Sequence, residues 1–192
     1  MIEEYVRNVA AISRRRSMPV FHNRFGTLFN DAVRAPGGRE GRYLRWRWSS
    51  AGVIAVPVHR GLVGLVPAYR YPIGAVSWEF PRGACNHDET AQDAAARELQ
   101  EETGLLARTC ALLGTLHAET GLIENAVQAF RVDVHDSVPG DSAVETMESV
   151  GDVVWTSPED ALGMARRGRV TCALSLAALY LAVGSVGLPD LA

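Results

Sequence analysis

Between Gly83 and Leu105 a loop entered through glycine runs into a capped helix that carries three glutamates on one side. The helix is predicted from about Thr90 to Thr103. Thr90 stands as its N-cap, Asp93 takes the third helical position, and Gly104 stops it at C′. Glu98 and Glu102 lie four apart and Glu98 and Glu101 three apart, so all three project from neighbouring positions. Like charges so placed destabilise a bare helix, and their position near its C-terminus adds an unfavourable dipole term. The arrangement becomes favourable if divalent cations occupy it. Several carboxylates with no Cys or His pair nearby suit a hard, oxygen-seeking ion, magnesium or manganese in preference to zinc. The competing reading is a solvated acidic face partly neutralised by Arg97, and Glu-x-x-Glu-Glu alone does not decide between the two.

The rest of the chain sets this helix among strands and further helices. Residues 2–16 read as a short helix with Val6, Val9, Ala10 and Ile12 inward. A hairpin follows, with arms of roughly Asn23–Arg34 and Arg42–Trp48 joined by Ala35-Pro36-Gly37-Gly38-Arg39-Glu40-Gly41. Strands are predicted at Gly52–His59, Leu62–Tyr69 and Val76–Phe80, with Arg60-Gly61 dividing the first two. After the acidic helix, further strands fall at Cys110–Ala118, Ala126–His135 and Asp152–Thr156. In the second of these Phe130, Val132 and Val134 alternate with polar residues, as in a half-exposed strand. Ser157 and Pro158 open another helix as cap and first residue, Gly168 ends it, and Thr171 opens the last. Strands and helices mix without strict alternation, which gives an α+β or mixed α/β fold and not a doubly wound sheet.

A chain of 192 residues that is 47% hydrophobic suits one globular domain with a small appendage. Residues 1–50 read as an N-terminal helix and hairpin extension, with 51–192 as the main domain. All 19 basic residues are arginine, which excludes lysine nucleophiles and Schiff bases and leaves cationic phosphate contacts to guanidinium groups or metal. A net charge of −3 provides no footprint for nucleic acid. The run Arg14-Arg15-Arg16 reads as the end of a helix or a solvated segment. Cys85, Cys110 and Cys172 form neither a disulfide framework nor a zinc spacing, which points to a reducing cytoplasm. Met1 leads into no secretory signal, and the apolar stretch Cys172–Leu188 reads as a buried helix, so no membrane partner is expected.

The residues around the three glutamates break the tie. Gly83, Glu89, Arg97, Glu98, Leu99, Glu101, Glu102, Gly104 and Leu105 match G-x5-E-x7-R-E-U-x-E-E-x-G-U at every fixed place. With typical residue usage, a full match arises by chance on the order of once in ten million such chains. The segment resembles the signature of Nudix hydrolases. That resemblance implies an α/β/α sandwich with a mixed β-sheet, and metal-dependent cleavage of a phosphoanhydride bond. It makes Glu98 and Glu102 the principal metal ligands and Glu101 a further ligand or water-holder, with the backbone carbonyl of Arg82 completing the site. Glu89 and Arg97 are similar to the family's orienting pair, and Gly83 is expected to permit a tight entry turn.

The flanks narrow the resemblance. Leu65-Val66-Pro67-Ala68-Tyr69-Arg70-Tyr71-Pro72 and Trp78-Glu79-Phe80-Pro81-Arg82-Gly83 are similar to the Q-Y-R-x-P and W-E-L-P-A-G stretches of ADP-ribose pyrophosphatases. Gly168–Ala173 is similar to their G-x-I-x-D-A-x-T tail, and the N-terminal hairpin is typical of the subgroup. The resemblance implies a nucleoside diphosphate sugar substrate, Mg2+ with Mn2+ as alternative, and a homodimer built by the appended strands. Arg70, Glu79 and Arg82 fall at substrate-lining positions; Arg70 can fork onto phosphate, and Glu79 can accept from a ribose hydroxyl, or the two brace adjacent strands as an ion pair. Trp46 and Trp48 share one face of the hairpin, either to stack on adenine or to pack in a core or dimer interface. Glu145 and Glu148, in the segment before the Asp152–Thr156 strand, are the candidates for general base.

Three positions depart from the subgroup pattern: Arg82 stands for alanine, Thr120 lies about where a proline is usual, and Cys172 replaces an aspartate. ADP-ribose therefore shares the field with other nucleotide sugars. Rival readings are a dinucleotide cofactor or oxidised nucleotide as substrate, and a non-catalytic nucleotide-sensing module.

Overall fold

The structure, a computed structural model, describes residues 9–136 and 149–184. The chain divides into two units, Met1–Ser49 with Glu119–Asn125, and Ser50–Ala118 with Ala126–Ala192.

The first unit is an antiparallel sheet around one long hairpin. Strands β3 (Gly26–Arg34) and β4 (Glu40–Trp48) pair in unbroken register from Gly26↔Trp48 to Arg34↔Glu40. Gly37 and Gly38, at φ 85° and 91°, turn the chain between them in a conformation that favours glycine. The other edge of β3 is covered end to end by two short strands, β1 (Ser13–Arg16) and β2 (Pro19–Asn23). Asn23 Oδ1 closes the β2–β3 turn by accepting from the backbone N–H of Phe25 (2.9 Å) and of Gly26 (3.1 Å). Asp31, 3% exposed, sits at the break between β1 and β2. It accepts from Met18 N at 3.0 Å, Ser17 Oγ at 3.2 Å and Arg45 Nε at 2.9 Å. Burial works against its charge, but these bonds prevail and hold the carboxyl below the ordinary aspartate range.

The edge of β4 is occupied by the distant segment Glu119–Asn125. Trp46 N donates to Leu122 O at 2.8 Å and Glu124 N to Trp46 O at 2.9 Å, while Trp48 N donates to Asn125 Oδ1 at 2.7 Å.

The helix expected over residues 2–16 is corrected where it is described. Val9 and Ile12 are exposed, residues 9–12 have no regular structure, and Ser13–Arg16 is strand. A short isolated helix is marginal in water, whereas the open edge of β3 offers the segment a row of backbone partners.

The second unit is a mixed sheet between helices. Its strands are β5 (Gly52–His59), β6 (Leu62–Arg70), β7 (Ala75–Glu79), β8 (Arg82–Ala84), β9 (Ala107–Leu116), β10 (Val127–Val134) and β11 (Val154–Thr156). The path runs β11-β6-β5-β10-β9, with β5 and β10 parallel and the other neighbours antiparallel. Helix α1 (Ala91–Thr103) packs Ala94, Ala95 and Leu99 on one face, against Val53, Ala55, Phe130 and Val132. Helices α2 (Pro158–Arg166) and α3 (Ala173–Val183) cover the other face, where Ile54, Val56, Val58 and Leu65 meet Ala161, Leu174, Ala178 and Leu179. The alternation of β5 between these two faces is the physical content of a strand buried on both sides. The fold is thus α+β, with a mixed sheet between helices and an antiparallel hairpin appended.

Two features of this sheet position the site. The β5–β6 turn, Arg60-Gly61, has both φ values positive (49° and 80°), as a two-residue hairpin turn requires. Yet β5 and β6 pair only at Val58↔Val63 and His59↔Leu62, and beyond that they part. The gap is filled by the β7–β8 connection: β7 pairs with β6, and β8 pairs with β5 at Gly52↔Ala84, Val53↔Gly83 and Ile54↔Arg82. Phe80 anchors the crossing, buried, its N–H donating to Ser175 Oγ of α3 at 3.1 Å. Thr171 does not cap α3. Cys172 is the N-cap and makes no side-chain bond, while the Thr171 hydroxyl pairs with Ser77 Oγ at 3.0 Å.

Candidate active site

Helix α1 presents its carboxylates to β8. Thr90 caps the helix by accepting from Asp93 N at 3.1 Å, and Gly104, at φ 70°, ends it with its N–H on Gln100 O. The alanines Ala94 and Ala95 bring the helix axis close to the sheet, which carries Glu98 and Glu102 to the β8 backbone. Glu102, 6% exposed, accepts from Arg82 N at 3.2 Å. Glu98 lies over Gly83, where an added Cβ would overlap its carboxylate carbon and both oxygens. Gly83 is therefore required for close approach of a side chain, not for a turn: it is paired within β8 and its φ is not positive.

Arg97 ties this arrangement together. Its Nε and Nη2 fork onto Glu89 at 3.1 and 2.7 Å, and Nη2 also donates to Ala84 O at 2.8 Å. Its Nη1 donates to Glu98 at 2.9 Å and to Glu101 at 2.8 Å. Glu89 in turn accepts from Asn86 N at 2.6 Å, so loop, strand and helix share one guanidinium. Bonding to Arg97, then to Asn86 N, holds the Glu89 carboxyl below the ordinary range, and the Glu89 bond foremost raises Arg97. The Ala84 and Asn86 contributions come from backbone atoms, which no side-chain pattern could have flagged.

A second cluster fills the gap between β5 and β6. Glu79, 2% exposed, receives Arg70 Nε and Nη2 at 3.2 and 2.9 Å and Arg82 Nε at 3.1 Å, all on Oε2. Arg70 and Glu79 do form the ion pair, and Arg82 joins it. Burial opposes the Glu79 charge, but the Arg70 bond and the Arg82 charge overcome it and hold its carboxyl below the ordinary glutamate value of 4.5. A carboxyl depressed on folding contributes stability that is present above its unfolded value and lost as pH falls through the folded one. Thermal stability is thus expected to fall below about pH 4.5, with Glu79→Gln showing a shallower acid limb than the wild type. Equal slopes for the two proteins would remove Glu79 from the account.

Trp46 and Trp48 lie in the first unit, with ring centroids 5.2 Å apart in an edge-on pair. The Trp46 Nε1 is buried without a hydrogen-bond partner among the described residues. Glu145 and Glu148 lie outside the described residues.

The donors around β8 fit a hard divalent cation. Glu98, Glu101, Glu102 and the Arg82 carbonyl offer oxygen alone, and the Gly83 cradle fixes one carboxylate against the strand. Among the described residues no three acidic, His or Cys side chains converge as a ligand group. Glu98 and Glu101 instead share Arg97 Nη1.

The Nudix domain model matches residues 47–174, about two thirds of the chain. The chain belongs to the Nudix family. Nudix hydrolases generally use divalent metal ions and act on nucleotide-derived substrates, and this Nudix hydrolase carries the family's full set of acidic positions. It is 26% identical to a CMP-5'-(N-acetyl-N-hydroxy-3-aminopropyl)phosphonate hydrolase of Streptomyces rubellomurinus, over 88% of this chain and 80% of that one. It is 34% identical to an ADP-ribose pyrophosphatase of Mycobacterium tuberculosis, over 54% of this chain and only half (50%) of that protein. In three dimensions it matches the crystal structure of an ADP compounds hydrolase with TM-score 0.78 and 19% identity, over 93% of this chain and 96% of that one. Among the described residues no helix is long and apolar enough to cross a membrane.

Proposed function

We propose that this Nudix hydrolase is a Mg2+-dependent pyrophosphatase, with Mn2+ as alternative, acting on ADP-ribose or a related nucleoside diphosphate sugar. The products are a nucleoside monophosphate and a sugar phosphate. The observation that carries the reading is the fixing of Glu98 and Glu102 on consecutive residues of β8, inside a complete signature. The similarity to the mycobacterial ADP-ribose pyrophosphatase supports the substrate class.

Glu98, Glu101, Glu102 and the Arg82 carbonyl would hold the metal. When bound, it supplies charge neutralisation of the diphosphate, a positioned water and stabilisation of the leaving oxygen. Arg97 keeps the carboxylates apart and oriented, and Glu89 holds Arg97 to the loop. Arg70 and Glu79 line the substrate side, Trp46 or Trp48 stacks on the base, and Glu145 or Glu148 removes the proton from the attacking water. Residues 1–50 build a homodimer, a reading supported by the exposed Val20, Phe21, Phe25, Tyr43 and Leu44 of the appended sheet. Three free cysteines agree with a cytoplasmic enzyme.

A second reading has its own support. The alignment with the Streptomyces phosphonate hydrolase spans far more of the chain, and its substrate name joins CMP to a phosphonate. Both readings share one chemistry, a nucleoside monophosphate joined by an anhydride to a second phosphorus group. A panel of ADP-ribose, GDP-mannose and a CMP-linked phosphonate, with Mg2+, is expected to release a nucleoside monophosphate from at least one. The turnover ranking chooses between the two readings, and release from none overturns both. Light scattering on the same preparation is expected to give twice the 20.8 kDa of one chain.

A further inference from the structure

Two guanidiniums, Arg70 and Arg82, meet the one carboxylate of Glu79. The two arginines are not equivalent. Arg70 spends both Nε and Nη2 on Glu79, while Arg82 commits Nε alone, and its two terminal nitrogens have no hydrogen-bond partner among the described residues. The Arg82 side chain is 33% exposed beside a carboxylate that is 2% exposed, so its outer face is open to a ligand while its inner edge is held.

Its position gives that face a purpose. The backbone N–H of Arg82 is bonded to Glu102, and the next residue, Gly83, cradles Glu98. The backbone that carries this guanidinium thus touches the very carboxylates assigned to the metal, where the phosphorus groups of the substrate must lie if the proposed function holds. Arginine presents two parallel N–H donors that match paired phosphoryl oxygens, and holding Nε pre-organises that fork.

We propose that Arg82 is a substrate-recognition residue whose Nη1 and Nη2 fork onto non-bridging oxygens of the P–O–P linkage, oriented by Glu79. This deepens the proposed function and rests on it. It also gives the side chain at this position a use where the subgroup pattern has alanine. Glu79 acts as a positioning residue: it sets the angle of the fork and touches no phosphate through Oε2, which is already occupied by both arginines.

The test is calorimetric binding of methylenediphosphonate, a P–C–P analogue that cannot be hydrolysed, at one fixed Mg2+ concentration. Wild type, Arg82→Ala and Arg82→Lys are compared, with thermal unfolding of each. Arg70 still neutralises Glu79 in Arg82→Ala, so that variant is expected to keep the wild-type fold. Binding is expected to weaken by about 10- to 100-fold in Arg82→Ala, the worth of a charged hydrogen-bond pair, and by less in Arg82→Lys, which keeps charge without the fork. Binding within about twofold of wild type in folded Arg82→Ala overturns the proposal and leaves Arg82 as a brace for Glu79. If Arg82→Ala unfolds, Arg82→Lys decides alone, because undiminished affinity there excludes the fork. Wild-type protein that does not bind the analogue at all fails the proposed function itself, a result distinct from a wild type that binds and a variant that binds equally.

Discussion

Glu102→Gln is expected to lower kcat by on the order of a thousandfold or more while leaving the fold and thermal stability intact. The two effects separate because of what the substitution preserves. Glutamine has the same shape and keeps a carbonyl oxygen for the Arg82 N–H that Glu102 now accepts at 3.2 Å. At 6% exposure the side chain is boxed in, so a change of size would confuse the outcome, whereas a change of charge alone does not. The negative charge is lost, and one acceptor oxygen becomes an NH2 donor. On the helix that loss is mildly favourable, since it removes one of three crowded like charges near a C-terminus. At the metal it is severe. Residues that merely orient ligands cost about 10- to 100-fold when changed, so loss of a ligand charge exceeds that range. Steady-state rates across a Mg2+ titration, with a melting curve for each protein, make the measurement. The variant should melt at or slightly above the wild type and need more Mg2+ for its residual rate. A rate within tenfold of wild type at ordinary Mg2+ would remove Glu102 from the metal.

Much of this architecture was legible before any coordinates, and the legible parts share a property: their cause is local. Thr90 and Gly104 mark the ends of α1 because a hydroxyl and a missing Cβ each solve a problem within one helical turn. Gly37-Gly38 announces a hairpin because the turn backbone there runs at positive φ. The spacing of Glu98, Glu101 and Glu102 places them on one side of a helix whatever surrounds it. What was not legible depends on partners far off in sequence. Ser13–Arg16 becomes a strand only because β3 has an open edge, and nothing in Ser-Arg-Arg-Arg says so. Strand β8 is three residues long and exists because β5 and β6 part beyond Val58 and Val63. Thr171 has the composition of a cap but is taken by Ser77, 94 positions away. The site shows the same division. The carboxylates and Arg97 were named from the signature, whereas the meeting of Arg70 and Arg82 on one oxygen of Glu79 required the β7–β8 crossing to bring them together.

Gly83→Ala is the second substitution with a large expected effect, and its interest lies in how little it should disturb the fold. Glycine in a signature invites the explanation that the backbone needs a left-handed conformation, yet Gly83 pairs with Val53 in ordinary strand geometry. A methyl group there meets not backbone but the carboxylate tip of Glu98. That tip sits at the end of a flexible side chain and can swing aside, so β8 and α1 can keep their places. The expected cost in stability is about 1 kcal/mol or less, small beside the 1–3 kcal/mol typical of overpacking a rigid core. The carboxylate that swings aside is, however, one assigned to the metal. Moving it also loosens its bond to Arg97 Nη1, which Glu101 shares, so the displacement propagates along the acidic row. Activity is expected to fall by about 100-fold, with the Mg2+ requirement raised and the melting temperature within a few degrees of wild type. The opposite pattern, a protein that melts far earlier but turns over normally while folded, would mean that Gly83 serves the strand and that Glu98 does not depend on its cradle.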